Sequence, residues 1–415
     1  MKPPPSTLAA FEGQGIELEY MIVERDSLMP LPIADRVLAT EAGHETGELL
    51  RGQLGWSNEF VLHVIEIKNP DPTLPLQTLG PALQREVRYL NRMLDHFHAR
   101  LMPTAMHPLM DPATAQLWPQ DPHGLYAAYA RIFDCKTHGW VNLQSMHLNL
   151  PFAGDEQFAR LHAAIRLLLP LLPALAASSP LLEGRASGAL DTRMQVYAHN
   201  ADLVPQIAGE LIPDSVASRA QYRQQILEPM YQAMAPHDPQ GVLRHEWLNS
   251  RAAIPRFDRN AIEIRVLDTQ ENPRADAAIA AAVIGMTRYL MQAGPPLAMQ
   301  EDMPTHSLAT IFHSCVELAD QALVENEEYL ACLGITETSC TAGVALHILA
   351  QQAIEGGHMP EESVAILQTI LEHGPLARRI LRALDGDFGT ERIRQVYRQL
   401  CNCLDQGQLF LPGAA

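Results

Sequence analysis

Between Gly15 and Tyr20 apolar and acidic residues alternate, Ile16, Leu18 and Tyr20 against Glu17 and Glu19. A period of two is that of a β-strand, so the apolar three face a core and the carboxylates share the other face, about 7 Å apart by strand rise. The same period recurs at 58–68, stopped by Asn69-Pro70-Asp71-Pro72, and at 140–151, where Ser145, His147 and Asn149 oppose Met146, Leu148 and Leu150. It returns at 256–268 as a turn and a strand, with Glu263 and Arg265 opposite Ile262, Ile264 and Val266. Glu59 and Glu66 are an odd number of residues apart, so an ideal strand puts them on opposite faces. Both reach one site only through a bulge, or if Glu59 lies on the incoming loop.

A helical period replaces the strand period at 76–101, through Leu79, Leu83, Val87, Leu90 and Leu94, and again at 156–175. From 275 onward the pattern is almost wholly helical, with segments at 275–292, 305–333, 339–355, 360–373, 376–384 and 390–406. The stretch 103–122, rich in Pro, Met, Asp and His, reads as a long surface connection, and 178–193 as a loop. The expected fold class is α+β: a mainly antiparallel sheet with an open functional face, packed on helices, with a helical C-terminal layer. A catalytic core over 1–300 and a helical region over 301–415 packed against it make one structural domain.

Composition narrows the function classes. The chain has 415 residues, 47% hydrophobic and 19% charged, and so is globular. Its net charge of −18 argues against a nucleic-acid backbone as partner. Six cysteines without a Cys-x-x-Cys spacing read as reduced thiols of a cytoplasmic protein. The start, 1–6, lacks the apolar run of an export signal. The apolar stretch 167–182 is short of the roughly 20 residues a membrane span needs. It also contains Pro170, Pro173 and Pro180, and so reads as a buried helix ending near Ser178.

Four strands therefore place Glu17 and Glu19, Glu59 or Glu66, His147 with Asn149, and Glu263 with Arg265 on a polar face. Carboxylates crowded on one face are costly unless a cation is bound, and hard divalent ions such as Mg²⁺ take oxygen ligands of this kind. Each piece also has a plainer account. Glu17 and Glu19 alone fit a solvated strand edge, Glu263 and Arg265 alone fit a surface ion pair, and His147 alone fits a hydrogen-bonded structural residue. His96, His98 and His107 lack a second ligand pair at zinc spacing. No Gly-x-x-x-x-Gly-Lys loop, Gly-x-Gly-x-x-Gly, His-Glu-x-x-His or Gly-x-Ser-x-Gly is present.

Five ordered motifs carry a family resemblance: Gly15-Ile16-Glu17-Leu18-Glu19; Glu59 through Glu66; Ser145-Met146-His147-Leu148-Asn149; Ser178-Ser179-Pro180 with Gly184-Arg185-Ala186-Ser187-Gly188 and Arg193; and Arg256-Phe257 with Ile262-Glu263-Ile264-Arg265. The chain resembles the glutamate–cysteine ligase family in its branch of bacterial carboxylate–amine ligases, whose catalytic domain is similar to that of glutamine synthetase. The resemblance implies Glu17, Glu19, Glu59, Glu66, His147 and Glu263 as ligands of two or three Mg²⁺ ions, with Glu17 and Glu19 on different ions and Glu263 opposite. It implies Arg265 as the catalytic arginine on the phosphates, and Asn149, Ser179, Arg185, Ser187, Arg193 and Arg256 as substrate or nucleotide contacts. The implied activity is ATP- and Mg²⁺-dependent ligation of glutamate to an amine, cysteine being one such amine, through an acyl phosphate. A loop must then exclude water, with 103–121 and 178–193 as candidates. Small-molecule partners, no membrane and a homo-oligomer fit this picture. A guanidino phosphotransferase on the same fold and a non-catalytic nucleotide- or metal-binding relative are the alternatives.

Overall fold

The computed structural model of the chain describes residues 7–121 and 123–413; the start at 1–6, with its lack of an apolar run, lies outside them. The strands are β1 (Gly15–Glu24), β2 (Glu48–Arg51), β3 (Leu54–Asn58), β4 (Val64–Lys68), β5 (Ala99–Met102) and β6 (Ser145–Pro151). A short hairpin, β7 (Leu181–Leu182) and β8 (Arg185–Ala186), precedes β9 (Ala253–Arg256) and β10 (Ala261–Asp268). Of these, all but the hairpin join one eight-stranded sheet in the order β2-β3-β4-β1-β6-β10-β9, with β5 pairing the far end of β1, while Leu323–Val324 and Cys340–Thr341 pair with each other apart from it. Every pairing is antiparallel.

Alternation sorts the two faces as the sequence predicts. Ile16, Leu18, Ile65, Ile67, Met146, Leu148, Ile262 and Ile264 are at most 1% exposed. They share one apolar cluster with residues of the helices Leu76–Leu94, Gly154–Leu168 and Pro273–Gln292. Each such side chain contributes about 1.5–3 kcal/mol by leaving water. On the other face, Glu17 and Glu19 are followed along β1 by Met21 and Val23, which are covered by the helices Leu376–Leu384 and Thr390–Gln406. The helical C-terminal layer thus closes the far half of that face and leaves the half bearing the carboxylates open.

The last helix is fastened to the early part of the chain. Gln84 donates to the carbonyl of Leu404 (2.7 Å), Arg88 to those of Asp405 (2.7 Å) and Gln406 (2.5 Å), and Arg100 to Asn402 (2.9 Å). Beyond it, a fully buried ion pair between Arg379 and Glu271 grips both backbone polar groups of Phe410.

Several elements differ from expectation, each for a local reason. The helix expected over 76–101 stops at Leu94, His98 turns left-handed (φ 54°), and the remainder becomes β5. The strand expected over 58–68 is split, because β3 ends at Asn58 and β4 starts only at Val64. Ala319 (φ 49°) breaks the helix expected over 305–333 into Thr305–Leu318 and Glu327–Cys332, with the strand Leu323–Val324 between them. Residues 103–108, expected at the surface, are buried. There His107 donates its Nε2–H to the Leu28 carbonyl (2.7 Å), and Asn142 bonds its backbone on both sides. Gly154–Ala176 is long and apolar enough to cross a membrane, yet almost all of it is buried inside the fold.

Candidate active site

The open half of the face is a set of rows running across the sheet. Lys68, Glu17 and His147 are register partners in one row, and Ser57, Glu66 and Glu19 in the next. Asn149 pairs with Gly15 on one side and Glu263 on the other. Paired residues of an antiparallel ladder point the same way, so the register alone converges these groups.

Glu59 joins them from outside the ladder. It enters from the turn after β3, which removes the odd-spacing conflict with Glu66. Single oxygens of Glu19, Glu59 and Glu66 lie within 4.8 Å of one another, and so do ligating atoms of Glu17, Glu66 and His147. Glu66 belongs to both groups, and Glu17 and Glu19 fall in different ones.

The surroundings tune each group. Ser145 donates its N–H (2.7 Å) and hydroxyl (3.0 Å) to one oxygen of Glu19. Ser57 (2.5 Å) and Lys68 (2.7 Å) both donate to Glu66. Burial, then the charge of Glu17, still raises the Glu66 carboxyl above its usual range. Burial and the charges of Glu19, Glu66 and Glu17 push Glu59 well above that range, and its carboxylate accepts no hydrogen bond from the described residues. Burial opposes ionisation of Glu17, but its hydrogen bond with His147 (3.3 Å) and the charge of that ring hold it low. The His147 ring in turn is disfavoured as a cation by burial and raised to about 9 by Glu17, Glu19 and Glu263.

Glu263 is placed differently. One of its oxygens accepts from Arg256 (3.0 Å) and the other from Arg265 (3.0 Å). Burial is outweighed by Arg265, His147 and Arg256, which lower its carboxyl to about 2. Glu263 stands across β6 from Glu17, but each of its oxygens already meets an arginine and it belongs to neither of these three-residue groups. Arg265 also reaches the Tyr197 hydroxyl (3.4 Å) and the Asn249 carbonyl (3.3 Å).

A bulge in β10 adds a residue that alternation hides. Glu263 pairs with Asn149 but Asp268 with Ser145, so the ladder gains one residue on β10 between Ile264 and Leu267. That reverses the parity and turns Asp268 to the same face as Glu263. There Asp268, with none of its surface exposed, accepts from Arg193 (2.5 Å), the Ser178 N–H (2.8 Å) and the Ser179 hydroxyl (2.9 Å). Ser179 thus anchors the loop, and Arg193 is held rigidly with its Nη2 buried and unpartnered among the described residues.

The other loop residues separate from the site. Ser187 ties its own loop together through Ala189 (2.9 Å) and Thr192 (2.6 Å). Arg185 projects from the exposed β7–β8 hairpin, with Glu183 (3.5 Å) as its ion partner. The Arg185 side chain does not join the carboxylate face, because the hairpin that carries it points into solvent.

Beside the Glu19 group lies a cavity of ≈ 310 Å³ whose lining includes Glu59, His147, Arg193 and Arg265 together with Phe60, Tyr126, Tyr129, Trp140 and Trp247. Sequence reasoning missed these aromatics, since they come from separate segments with no shared period. Lys68 was within reach of it: it is two residues from Glu66 on one strand, and therefore on the same face.

Residues 14–399 match the family described as glutamate-cysteine ligase family 2. An uncharacterised protein of Archaeoglobus fulgidus is 30% identical over 400 residues, covering 96% of this chain and 100% of that protein. Among solved structures, a bifunctional glutathione synthetase from Pasteurella multocida superposes with a TM-score of 0.60 at 15% identity, over 94% of this chain and 52% of its own. The chain thus spans about half the length of that enzyme. The glutamate–cysteine ligase of Francisella tularensis, solved in complex with AMP, gives a TM-score of 0.57 at 13% identity, over 96% of this chain and 90% of its own. These structures share the fold: helices packed on a mainly antiparallel sheet. With a match that runs from residue 14 to residue 399 and takes in all the strands of the site, the chain belongs to glutamate–cysteine ligase family 2, a family of carboxylate–amine ligases.

Proposed function

We propose that this protein joins the side-chain carboxylate of glutamate to an amine, using the γ-phosphoryl group of ATP. The observation that carries the reading is the pair of carboxylate groups sharing Glu66 on the open sheet face, next to a cavity holding two arginines, in a family 2 chain.

The residues fit Mg²⁺. Hard oxygen donors dominate, and the crowded charge that raises Glu59 and Glu66 is the charge a divalent cation offsets. Glu17, Glu66 and His147 would hold one ion and Glu19, Glu59 and Glu66 another, with His147 giving up its proton to ligate. Bound there, the metal supplies Lewis-acid neutralisation of the phosphate oxygens.

The chain's own residues do the rest. A carboxylate oxygen of glutamate attacks the γ-phosphorus, the bond to the β-phosphate oxygen breaks, and ADP leaves. The amine nitrogen then attacks the acyl carbon, inorganic phosphate departs with its oxygen, and the nitrogen loses a proton. Arg265, aligned by Glu263 and lining the cavity, faces the charge that moves in the first step, a task preorganised guanidinium groups suit, and Arg256 holds the other oxygen of Glu263. Arg193 offers its free Nη2 to a substrate carboxylate. Residues 103–108 are too deeply buried to act as a lid, and Asp268 pins the start of 178–193.

Hydroxylamine tests the reading because it traps an acyl phosphate without needing an acceptor pocket. With ATP, Mg²⁺ and L-glutamate it should give γ-glutamyl hydroxamate and ADP in equal amounts, abolished by EDTA. ADP formation without hydroxamate, or no turnover with glutamate, refutes it.

A further inference from the structure

From the wall of the cavity we infer that the amine acceptor carries an aromatic ring. The inference rests on the ligase reading and specifies its second substrate.

Five aromatic side chains form a continuous series along one side of the cavity. Tyr126 meets Phe60 edge to face with centroids 5.3 Å apart, Phe60 meets Trp140 at 5.9 Å, Trp140 meets Tyr129 at 5.2 Å, and Tyr129 meets Trp247 at 6.2 Å. They converge from the turn after β3, the helices Leu125–Ile132 and His138–Val141, and the turn Glu246–Leu248. All five are only partly buried, unlike the core aromatics Trp56, Phe152, Phe158 and Tyr222, which are shut off from solvent completely. Two of the polar ends are tied down: Trp140 donates to the Asn200 carbonyl (2.9 Å), and the Tyr126 hydroxyl accepts from Asn58 (3.0 Å). Phe60 has no polar end, so much of what faces the cavity is ring surface. Apolar ring surface left wet inside a concave site is the usual mark of a ligand that covers it.

Glutamate does not need that wall, because its two carboxylates and its amine seek charges and hydrogen bonds. Two ring-bearing ligands could cover it, the adenine of ATP and the amine, and the inference takes the amine. A thiol on one methylene, as in cysteine, covers one ring at most and leaves the series exposed. A cationic side chain would face the guanidinium groups of Arg193 and Arg265, since the carboxylates of Glu19 and Glu59 in the same lining are taken up by metal in the ligase reading. A neutral aromatic ring meets both conditions, stacking or packing edge to face against several neighbours. Two buried atoms without a partner among the described residues, Arg193 Nη2 and Asn200 Oδ1, belong to cavity-lining residues and offer a donor and an acceptor for polar groups on the same molecule.

The class is thus primary amines bearing an aromatic ring, as arylalkylamines or as aromatic amino acids. The test measures glutamate-dependent amide formation with tyramine, phenethylamine, tyrosine, phenylalanine, cysteine, alanine and hydroxylamine. At least one aromatic amine should exceed cysteine and alanine about tenfold or more in kcat/KM. Preference for the amino acids over the arylalkylamines would place the carboxylate on Arg193, and the reverse would leave that arginine to glutamate. In Trp247→Ala the ratio of aromatic-amine to hydroxylamine turnover should fall about tenfold. If that variant fails to fold, Tyr126→Leu serves the same comparison. Quenching of tryptophan fluorescence in the unaltered protein by tyramine or phenylalanine, saturable and absent with alanine, reports binding without turnover.

Hydroxamate formation combined with cysteine or alanine used as well as every aromatic amine overturns the inference and spares the ligase reading. A Trp247→Ala variant whose KM for ATP rises while its ratio of aromatic-amine to hydroxylamine turnover stays unchanged gives the wall to adenine and likewise overturns it. Absence of hydroxamate overturns the ligase reading, and the inference falls with it.

Discussion

Glu59 and Glu66 bring carboxylate oxygens within 4.8 Å of each other, although seven positions separate them and only one lies in a strand. Without a cation this contact is repulsive. Replacing Glu59 with Gln should therefore raise the stability of the metal-free protein by about 1 kcal/mol and weaken its stabilisation by Mg²⁺. The sign with pH follows from the raised carboxyl: the neutral form is favoured in the fold, so stability is greatest at low pH and is lost as pH climbs through the folded-state value. Thermal unfolding in EDTA and in Mg²⁺, across pH, measures both effects. An equal Mg²⁺ shift in the two proteins would remove Glu59 from the ion site.

Glu263 behaves in the opposite sense. Its carboxyl falls from 4.5 to about 2, so its contribution is complete above about 4.5 and disappears as pH drops towards 2. Glu263→Gln leaves Arg265 without a carboxylate partner and Arg256 with only the exposed Asp258 (3.7 Å), at a cost of about 3–5 kcal/mol typical of a broken buried pair. Urea unfolding between pH 3 and pH 6, values chosen to bracket the upper part of that window, should show a flatter acid limb in the variant. Identical limbs would contradict the pairing.

Asp268 acts through Arg193. Asp268→Asn keeps the shape but weakens a charge-assisted bond of about 1.5–3 kcal/mol, so kcat/KM for glutamate should fall about 10- to 100-fold. The rise in melting temperature with Mg²⁺ should survive, because neither three-residue group contains Asp268. Loss of the metal response together with activity would point to collapse of the face.

The Glu271–Arg379 pair is wholly buried. Breaking it from one side, as Glu271→Gln or Arg379→Met, should cost about 3–5 kcal/mol, whereas Glu271→Leu with Arg379→Met should cost clearly less than the sum of the two, what remains being the Phe410 backbone groups left unpaired. Chemical denaturation of the three variants decides this, and additive single losses in the double variant would refute it.

What the sequence shows of this site is what strict alternation can carry. Glu17 with Glu19 and His147 with Asn149 fall on one face because β1 and β6 are regular there, and their apolar neighbours vanish into the core as expected. Asp268 escaped notice because one bulge residue reverses parity after Ile264. β5 was hidden inside a helical pattern that runs on past Leu94, since nothing local announces the left-handed turn at His98. The aromatic wall depends on contacts between positions as distant as Tyr129 and Trp247, which no window along the chain can join. Arg185 shows the converse, a motif residue whose hairpin carries it into solvent.

The fastening of residues 402–406 to Gln84, Arg88 and Arg100 bears on the order in which the protein can be made. Synthesis proceeds from the N-terminus at about 5–20 residues per second, so all the strands of the site are available by residue 268. The cover over Met21 and Val23 is not, because it comes from helices that start at residue 376. During the interval, on the order of 10 seconds at those rates, a sheet complete in its pairing displays an apolar patch beside its acidic one. A nascent chain in that state is the form a chaperone or an aggregate would meet.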